Sequence, residues 1–143
     1  MTRCLMMTLE GVVLRHQVNM SPKRSVLVIG LEPTLVDYTA FPGLDAPKVL
    51  AGLEADQERL KGLGYEVQLC LIDLGATAEA VVLDQLTRKR FDGIVIGAGV
   101  RTVPSHFILF ERLINVLHQH APQAKLCFNT KPSDTAEAVQ RWL

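Results

Sequence analysis

The sequence contains little of what marks proteins held together by disulfides or drawn to charged polymers. Its three cysteines are an odd number and too few for a disulfide framework. Cys70 and Cys127 lie within apolar runs, which is typical of buried, reduced thiols in a cytoplasmic protein. Fifteen basic residues are balanced by fifteen acidic ones, so no net charge attracts the chain to nucleic acid or anionic lipid. We therefore predict a cytoplasmic protein without a nucleic-acid partner.

Long hydrophobic runs and known catalytic motifs are also missing from the sequence. No apolar run approaches the ~20 residues that a membrane span needs, so we expect no membrane association. There is no P-loop, no G-x-S-x-G elbow and no paired-cysteine motif. His118 and His120 are two positions apart and cannot share one face of a helix. We therefore predict no metal site, and the motifs identify no cofactor.

The N-terminal segment, residues 1–24, differs in character from the rest of the chain. Glu10 and Arg15 interrupt the apolar core that a signal peptide would need. Met20 stands just before a strong strand pattern, so one interpretation is an extension upstream of a natural start at Met20. The other interpretation is an edge strand around residues 11–15. Residues 25–143 are predicted to form a single α/β domain.

Strand-like and helix-like patterns alternate four times from Ser25 onward. Short runs rich in β-branched residues predict strands at 26–30, 66–74, 91–97 and 125–130. Capping residues followed by apolar spacing predict helices that begin at Asp45, Thr77, Ser105 and Asp134. Because no hairpin signal joins two strands, the pattern predicts a parallel sheet covered on both faces. We predict a three-layer, doubly wound α/β fold, flavodoxin-like and Rossmann-like, with strand order 2-1-3-4.

The connection after the first strand, residues 31–44, indicates where a ligand would bind. In open parallel sheets ligands bind beyond the carboxyl ends of the strands, here between the first and third. The connection is much longer than the ~2–6 residues usual for such loops, and it carries apolar residues such as Tyr38 and Phe41. We interpret it as a lid or pocket wall. The alternative is that it only covers the end of the sheet.

Gly97 and Gly99, after the third strand, suggest a dinucleotide-binding loop, but the wider pattern disagrees. The third glycine of G-x-G-x-x-G would fall at Thr102, and the motif should follow the first strand rather than the third. The first strand instead ends in Glu32 and Pro33, which would repel a pyrophosphate and remove a backbone donor. We expect the two glycines to turn the chain at the sheet edge and leave room for a ligand.

Arg101 and His106 are the candidate chemical groups beside these glycines. His106 falls in the middle of the apolar arc of a helix predicted at 105–118, in its first turn, so it should point into the crevice. Arg101 beside a helix N-terminus would suit a phosphate or carboxylate. The alternative is that Arg101 pairs with Asp37 or Glu32 while His106 bonds a carbonyl group.

Two sets of candidate residues follow from this reading of the sheet edge. His106 is the candidate general acid or base, oriented by Asp37 or Asp73. The candidate ligand-binding residues are Glu32, Tyr38, Gly97, Gly99, Arg101, Thr102, Asn129 and Thr130.

The order of elements, with the phrase LGYEV at 63–67, resembles the receiver domains of two-component signalling over most of residues 25–131. That resemblance implies the fold. Receivers carry an acidic pair after strand one and a phosphorylatable aspartate after strand three, where this chain has Gly30-Leu31-Glu32 and Gly97-Ala98-Gly99. Thr130 alone falls at the place of the receiver's switch hydroxyl. The resemblance therefore does not extend to aspartyl phosphorylation.

Three functions are compatible with the sequence. The first is a module that binds a small anionic metabolite or nucleotide in the crevice between strands one and three. The second is an enzyme that uses His106. The third is a structural or regulatory homodimer, since the fourth strand would be an open edge and the apolar arc of the third helix, with Ile108 beside it, exceeds what one sheet face covers. We expect a homodimer through that side.

Overall fold

A computed structural model describes residues 23–143 of the chain. The predictions for the N-terminal segment lie outside the described residues. These are the start at Met20 and the edge strand at 11–15.

The described chain is built on one sheet of four parallel strands. They are β1 (Ser25–Leu31), β2 (Glu66–Ile72), β3 (Gly93–Ile96) and β4 (Lys125–Phe128). The strands are ordered β2-β1-β3-β4, and every neighbouring pair is parallel. The predicted fold class and the strand order 2-1-3-4 are therefore confirmed.

Within residues 23–143, five α-helices connect and follow the strands. They are α1 (Ala46–Gly62), α2 (Ala78–Arg88), α3 (Ala98–Arg101), α4 (Phe107–His120) and α5 (Thr135–Gln140). Single 3₁₀ turns occupy Pro33–Leu35, Tyr38–Ala40, Pro104–His106 and Pro132–Asp134. Across residues 23–143, none of the helices combines the length and the apolar character that crossing a membrane would require.

The alternation of β1 side chains divides the core into two layers. Leu27 and Ile29 face one cluster, which includes residues of α2 and α4 such as Val82 and Leu113. Val26 and Val28 face the other, which includes residues of α1 and α5. All seven residues of β1 are buried, as expected for a central parallel strand with helices on both faces. Two α layers thus enclose the sheet.

The predicted signals at the helix ends hold for α1 and differ for α2 and α5. Asp45 caps α1 by accepting a hydrogen bond from the Lys48 N–H at 2.9 Å, and Gly64 follows the helix with φ +99°. Thr77 precedes α2 without a side-chain cap, since its hydroxyl donates to Asp73 at 2.7 Å. Asp134 precedes α5 as predicted but does not cap it, because its carboxylate accepts from the Thr130 N–H instead.

The third predicted helix, 105–118, corresponds to α4 at Phe107–His120, and a short helix that the sequence did not predict, α3, lies before it. A single turn, α3, follows β3 directly, and α4 begins only at Phe107. Val103 lies between them in an extended conformation, with φ −89° and ψ 119°. The cause is Pro104, which disfavours helical backbone at the residue before it. Arg101 therefore lies in the last turn of α3 and not just before the N-terminus of the long helix.

Candidate functional site

A cavity of about 100 Å³ lies beyond the carboxyl ends of β1, β3 and β4. Its apolar wall is formed by Leu31, Val36, Phe41, Leu44, Val49 and Leu53. The strand ends contribute Gly30, Gly97, Ala98 and Gly99, and the segment after β4 contributes Asn129, Thr130, Lys131 and Pro132. The segments after Gly30 and after Gly97 thus line the same cavity, at the position where the strand order reverses direction.

The long connection after β1 forms one wall of the cavity and is held in place by its own polar groups. The hydroxyl of Tyr38 donates to the carbonyl of Pro33 at 2.6 Å, and the Asp37 carboxylate accepts from the Thr39 N–H at 3.0 Å. The first bond links the two 3₁₀ turns and the second caps the second turn, while Val36 and Phe41 line the cavity. The connection is therefore an ordered wall.

Gly97 and Gly99, the two glycines after β3, have different surroundings. A Cβ atom on Gly97 would lie 3.4 Å from the carbonyl oxygen of Ile29, so this glycine allows β1 and β3 to approach closely. A Cβ atom on Gly99 would meet nothing within 4 Å, and Gly99 lines the cavity. Because neither glycine has a positive φ, the absence of a side chain matters at both positions more than backbone freedom does.

Asn129 connects the end of β3 with the start of α5. Its side-chain oxygen accepts from the Ala98 N–H at 2.8 Å, and its amide nitrogen donates to the Thr135 hydroxyl at 2.9 Å. The residue is buried and lines the cavity floor. Asn129 was a candidate ligand-binding residue, and the structure shows that both ends of its amide already hold the walls together.

Thr130 and Lys131 form the polar mouth of the cavity. The Thr130 hydroxyl donates to the carboxylate of Asp134, which also accepts from the backbone N–H groups of Thr130 and Lys131 at 2.9 and 3.2 Å. Burial alone would raise the pKa of Asp134, but these hydrogen bonds and the positive charge of Lys131 hold it below its usual value. Among the cavity-lining residues in the described part of the chain, Lys131 is the one with a charged side chain.

Arg101 lies beside the cavity, and its side chain is engaged in the fold. The guanidinium donates to the carbonyl of Ile96 at 3.1 Å and to that of Asn129. Its Cζ atom lies 5.0 Å from the ring centroid of Phe128, within range of a cation–π contact. Burial lowers the pKa of Arg101, and the negative charge of Asp134 opposes that effect. The ion pair with Asp37 or Glu32 that the sequence left open is not formed.

His106 and Asp37 lie near each other, outside the cavity lining. The Nδ1 atom of His106 is 3.0 Å from the carbonyl oxygen of Gly99; since a carbonyl only accepts, Nδ1 carries a proton and donates to it. Hydrogen bonds from Thr39 lower the pKa of Asp37, burial acts against them, and the positive charge of His106 adds a smaller lowering contribution. The carbonyl bond is the alternative that the sequence left open for His106.

The remaining candidate residues serve local structure. The Thr102 hydroxyl donates to the Ala98 carbonyl at 2.7 Å. Burial raises the pKa of Tyr38, with further contributions from the negative charges of Asp45 and Glu32, so Glu32 lies near the Tyr38 hydroxyl. Asp73 accepts from the N–H groups of Gly75 and Thr77, and these bonds lower its pKa.

Sequence reasoning singled out four candidate ligand-binding residues that line the cavity, and the pocket wall that it proposed at 31–44 contains most of the apolar lining. Gly97, Gly99, Asn129 and Thr130 lie on the lining. Val49 and Leu53 of α1 were missed because their spacing also fits a simple core face. Lys131 was not among the candidate residues. Its position directly after the candidates Asn129 and Thr130 could have indicated that it lies at the same site.

Comparison with known proteins identifies no function, so the geometry of the site is the basis for assigning one. The chain matches no known protein family, and no curated protein is significantly similar to it. Among residues 23–143, no three His, Cys, Asp or Glu side chains are grouped closely enough to hold a metal ion.

Proposed function

We propose that the protein is a binding module for a small anionic molecule, held in the cavity between the ends of β1 and β3. The observation that carries the proposal is the composition of the cavity: an apolar wall from the β1–α1 segment opposite a mouth that bears Lys131. Apolar pockets with a few placed polar groups are the usual form of small-molecule sites. The occurrence of two buried, free thiols, Cys70 and Cys127, supports a cytoplasmic location.

Binding is favoured over catalysis because the candidate catalytic pair does not face the cavity. His106 and Asp37 are not among the lining residues, and the Asp37 carboxylate is engaged by Thr39 at 3.0 Å. A general base must lie within hydrogen-bond reach of the proton that it removes. Ligand held in the cavity would contact the side chains of Lys131 and Thr130 before that of His106.

The variant Gly99→Ala tests the proposal without disturbing the fold. Gly99 lines the cavity and a methyl group added there meets nothing within 4 Å, while alanine in a helical position stabilises by up to about 1 kcal/mol. We expect the melting temperature to be unchanged or higher and the binding of organic acids, phosphate or nucleotides to be weaker. Ligands are screened by thermal shift and by changes in the NMR amide signals of Gly30, Gly97 and Gly99.

Gly62→Ala is the matched control, because its methyl group also meets nothing within 4 Å and it lies at the far end of α1. This variant should bind as the wild type does. If no compound in the screen raises the melting temperature or shifts those glycine signals, the cavity is not a ligand site. If Gly99→Ala and Gly62→Ala bind equally well, the ligand lies elsewhere.

His106→Ala and Arg101→Ala separate binding from the alternatives. We expect His106→Ala to bind ligand normally, whereas turnover that depends on His106 would favour the enzyme. Arg101→Ala should lower the melting temperature, because it leaves two carbonyl groups without their donor. It should not remove the ligand's charge partner, which is Lys131.

A second candidate function, homodimeric assembly, is favoured by the start of α4. Phe107 and Ile108 are 60% and 54% exposed, and such apolar patches on a surface mark interaction sites. Sedimentation of the wild type against Phe107→Ser/Ile108→Ser over a range of concentrations tests it. A wild type that stays monomeric throughout that range would contradict assembly.

A further inference from the structure

We infer that the ligand of this cavity is a short monocarboxylate with a branched aliphatic body, rather than a nucleotide. The inference rests on the proposed function, since it names the chemical class that the same cavity would accept. Three features of the cavity support it: its volume, its shortage of free hydrogen-bonding groups and its single positive charge.

The volume limits the ligand to a few heavy atoms. The cavity measures about 100 Å³, whereas an apolar cavity of roughly 150 Å³ accepts benzene and sites for drug-sized ligands are about 300–1,000 Å³. A base with its ribose therefore exceeds the available space. A body of about four or five carbon atoms fits it.

The lining offers an apolar body favourable contacts and offers a hydroxyl-rich ligand few partners. Val36, Phe41 and Leu44 contribute from the loop, and Val49 and Leu53 from α1. The one amide on the floor, that of Asn129, is already bonded to Ala98 and Thr135. Sugar hydroxyls or base edges placed here would lose their hydrogen bonds to water without replacing them, which is costly.

The charge at the mouth suits a single carboxylate. Lys131 presents its ammonium on a long, exposed side chain, and a lysine acts on an anion as a point charge. The Asp134 carboxylate is fixed nearby by the backbone N–H groups of Thr130 and Lys131. A phosphate dianion would be repelled by that carboxylate, and attracted by Lys131, about twice as strongly as a monoanion. The preference for a carboxylate over a phosphate ester therefore rests on the volume and the apolar lining of the cavity.

Calorimetric titration with a graded series of probes tests this class. The series runs from acetate through 3-methylbutanoate and 4-methylpentanoate to octanoate, beside 4-methylpentanamide, inorganic phosphate and AMP. Affinity should rise about fourfold with each added methylene until the cavity is filled. The affinity should then stop rising. It should do so at a shorter carbon chain of the probe in Gly99→Ala than in the wild type.

The charge requirement is tested by Lys131→Gln, with Lys61→Gln as the matched exposed lysine on α1. Lys131→Gln should weaken 4-methylpentanoate binding about fivefold and leave 4-methylpentanamide binding unchanged, whereas Lys61→Gln should change neither. Equal affinities for the acid and the amide in the wild type would overturn the carboxylate class. Cavity binding of AMP or phosphate in preference to the acids would also overturn it and leave the proposed function standing. Failure of every probe to bind would contradict both.

Discussion

At the scale of single residues, Asn129 carries the most structural weight of the candidate site residues. Its amide satisfies the N–H of Ala98 at the start of α3 and reaches Thr135 at the start of α5. A buried donor left without a partner costs more than an ordinary hydrogen bond gains. The residue that the sequence suggested for ligand binding therefore also determines the stability of the cavity walls.

We expect Asn129→Ala to lower the free energy of unfolding by about 2–4 kcal/mol, since two buried polar groups lose their partners. Urea denaturation measures this loss. Asn115→Ala is the control, because Asn115 is exposed on α4 and bonds only the Glu111 carbonyl. That variant should stay within about 0.5 kcal/mol of the wild type. A similar small change for both variants would show that the amide bonds of Asn129 contribute little.

Asp56 is a buried carboxyl group behind the same network. Its residue is 6% exposed, and its carboxylate accepts from the Thr135 N–H at 3.2 Å. Burial raises the pKa of Asp56, and the hydrogen bonds from Thr135 and the charge of Arg59 offset only part of that effect. The folded state therefore binds the Asp56 proton more tightly than the unfolded state does, so ionisation of this group opposes folding.

Asp56→Asn should gain stability relative to the wild type as the pH rises. The asparagine oxygen still accepts from the Thr135 N–H, but it carries no charge. Because the pKa of Asp56 is raised on folding, the wild type loses stability from about pH 4, the unfolded value, up to the folded value. Denaturation of both proteins between pH 4 and 8 should show a difference that grows and then levels off. A difference that shrinks with pH would contradict the raised pKa.

At the scale of elements, the sequence predicted the helices wherever a local signal was also the structural cause. Asp45 caps the start of α1 as expected, and Gly64 follows its end with a positive φ. At α2 the helix begins after Thr77 as predicted, but the Thr77 hydroxyl donates to Asp73, four residues earlier, and does not cap the helix. The sequence missed α3, because four residues are too few to show a helical period.

The end of α1 provides two glycines for which opposite effects are expected. Gly64 has φ +99°, a conformation that costs an alanine about 1–2 kcal/mol. Gly62 is inside the helix with open space around it, so alanine there should stabilise by up to about 1 kcal/mol. Thermal denaturation of Gly64→Ala and Gly62→Ala should thus give shifts of opposite sign. Shifts of the same sign would show that backbone conformation does not decide the outcome.

The position of the site followed from strand order, whereas the identity of its side chains did not. Periodicity indicates that a helical residue such as His106 faces inward, but not which side of the loop the cavity occupies. The cavity lies beside α1, while the chain after β3 passes to the layer of α2 and α4, which includes Val100 and Leu109. For that reason Arg101 and His106 lie beside the cavity and Lys131 lies on it. Which residues bind a ligand stays a prediction.

At the scale of the whole molecule, the two layers of the core share a single sheet. Cys70 belongs to the cluster with α2 and α4, and Cys127 belongs to the cluster with α1 and α5. Because both core layers pack against the same sheet, disruption of the sheet in one layer would also expose the other layer. A chain of this size with one shared sheet should therefore unfold as one unit, consistent with the predicted single domain at 25–143.

The two buried thiols report on opposite layers, so their labelling tests that cooperativity. Burial raises the pKa of Cys70 and of Cys127 to about 11, and only the thiolate is reactive. In a Cys4→Ser background at pH 8, we expect both to react with iodoacetamide only through global unfolding, at equal rates followed by peptide mass spectrometry. Adding Gly62→Ala should slow both rates by the same factor. Faster labelling of Cys127 than of Cys70 would instead mean that the α1 and α5 layer opens while the rest of the sheet stays folded.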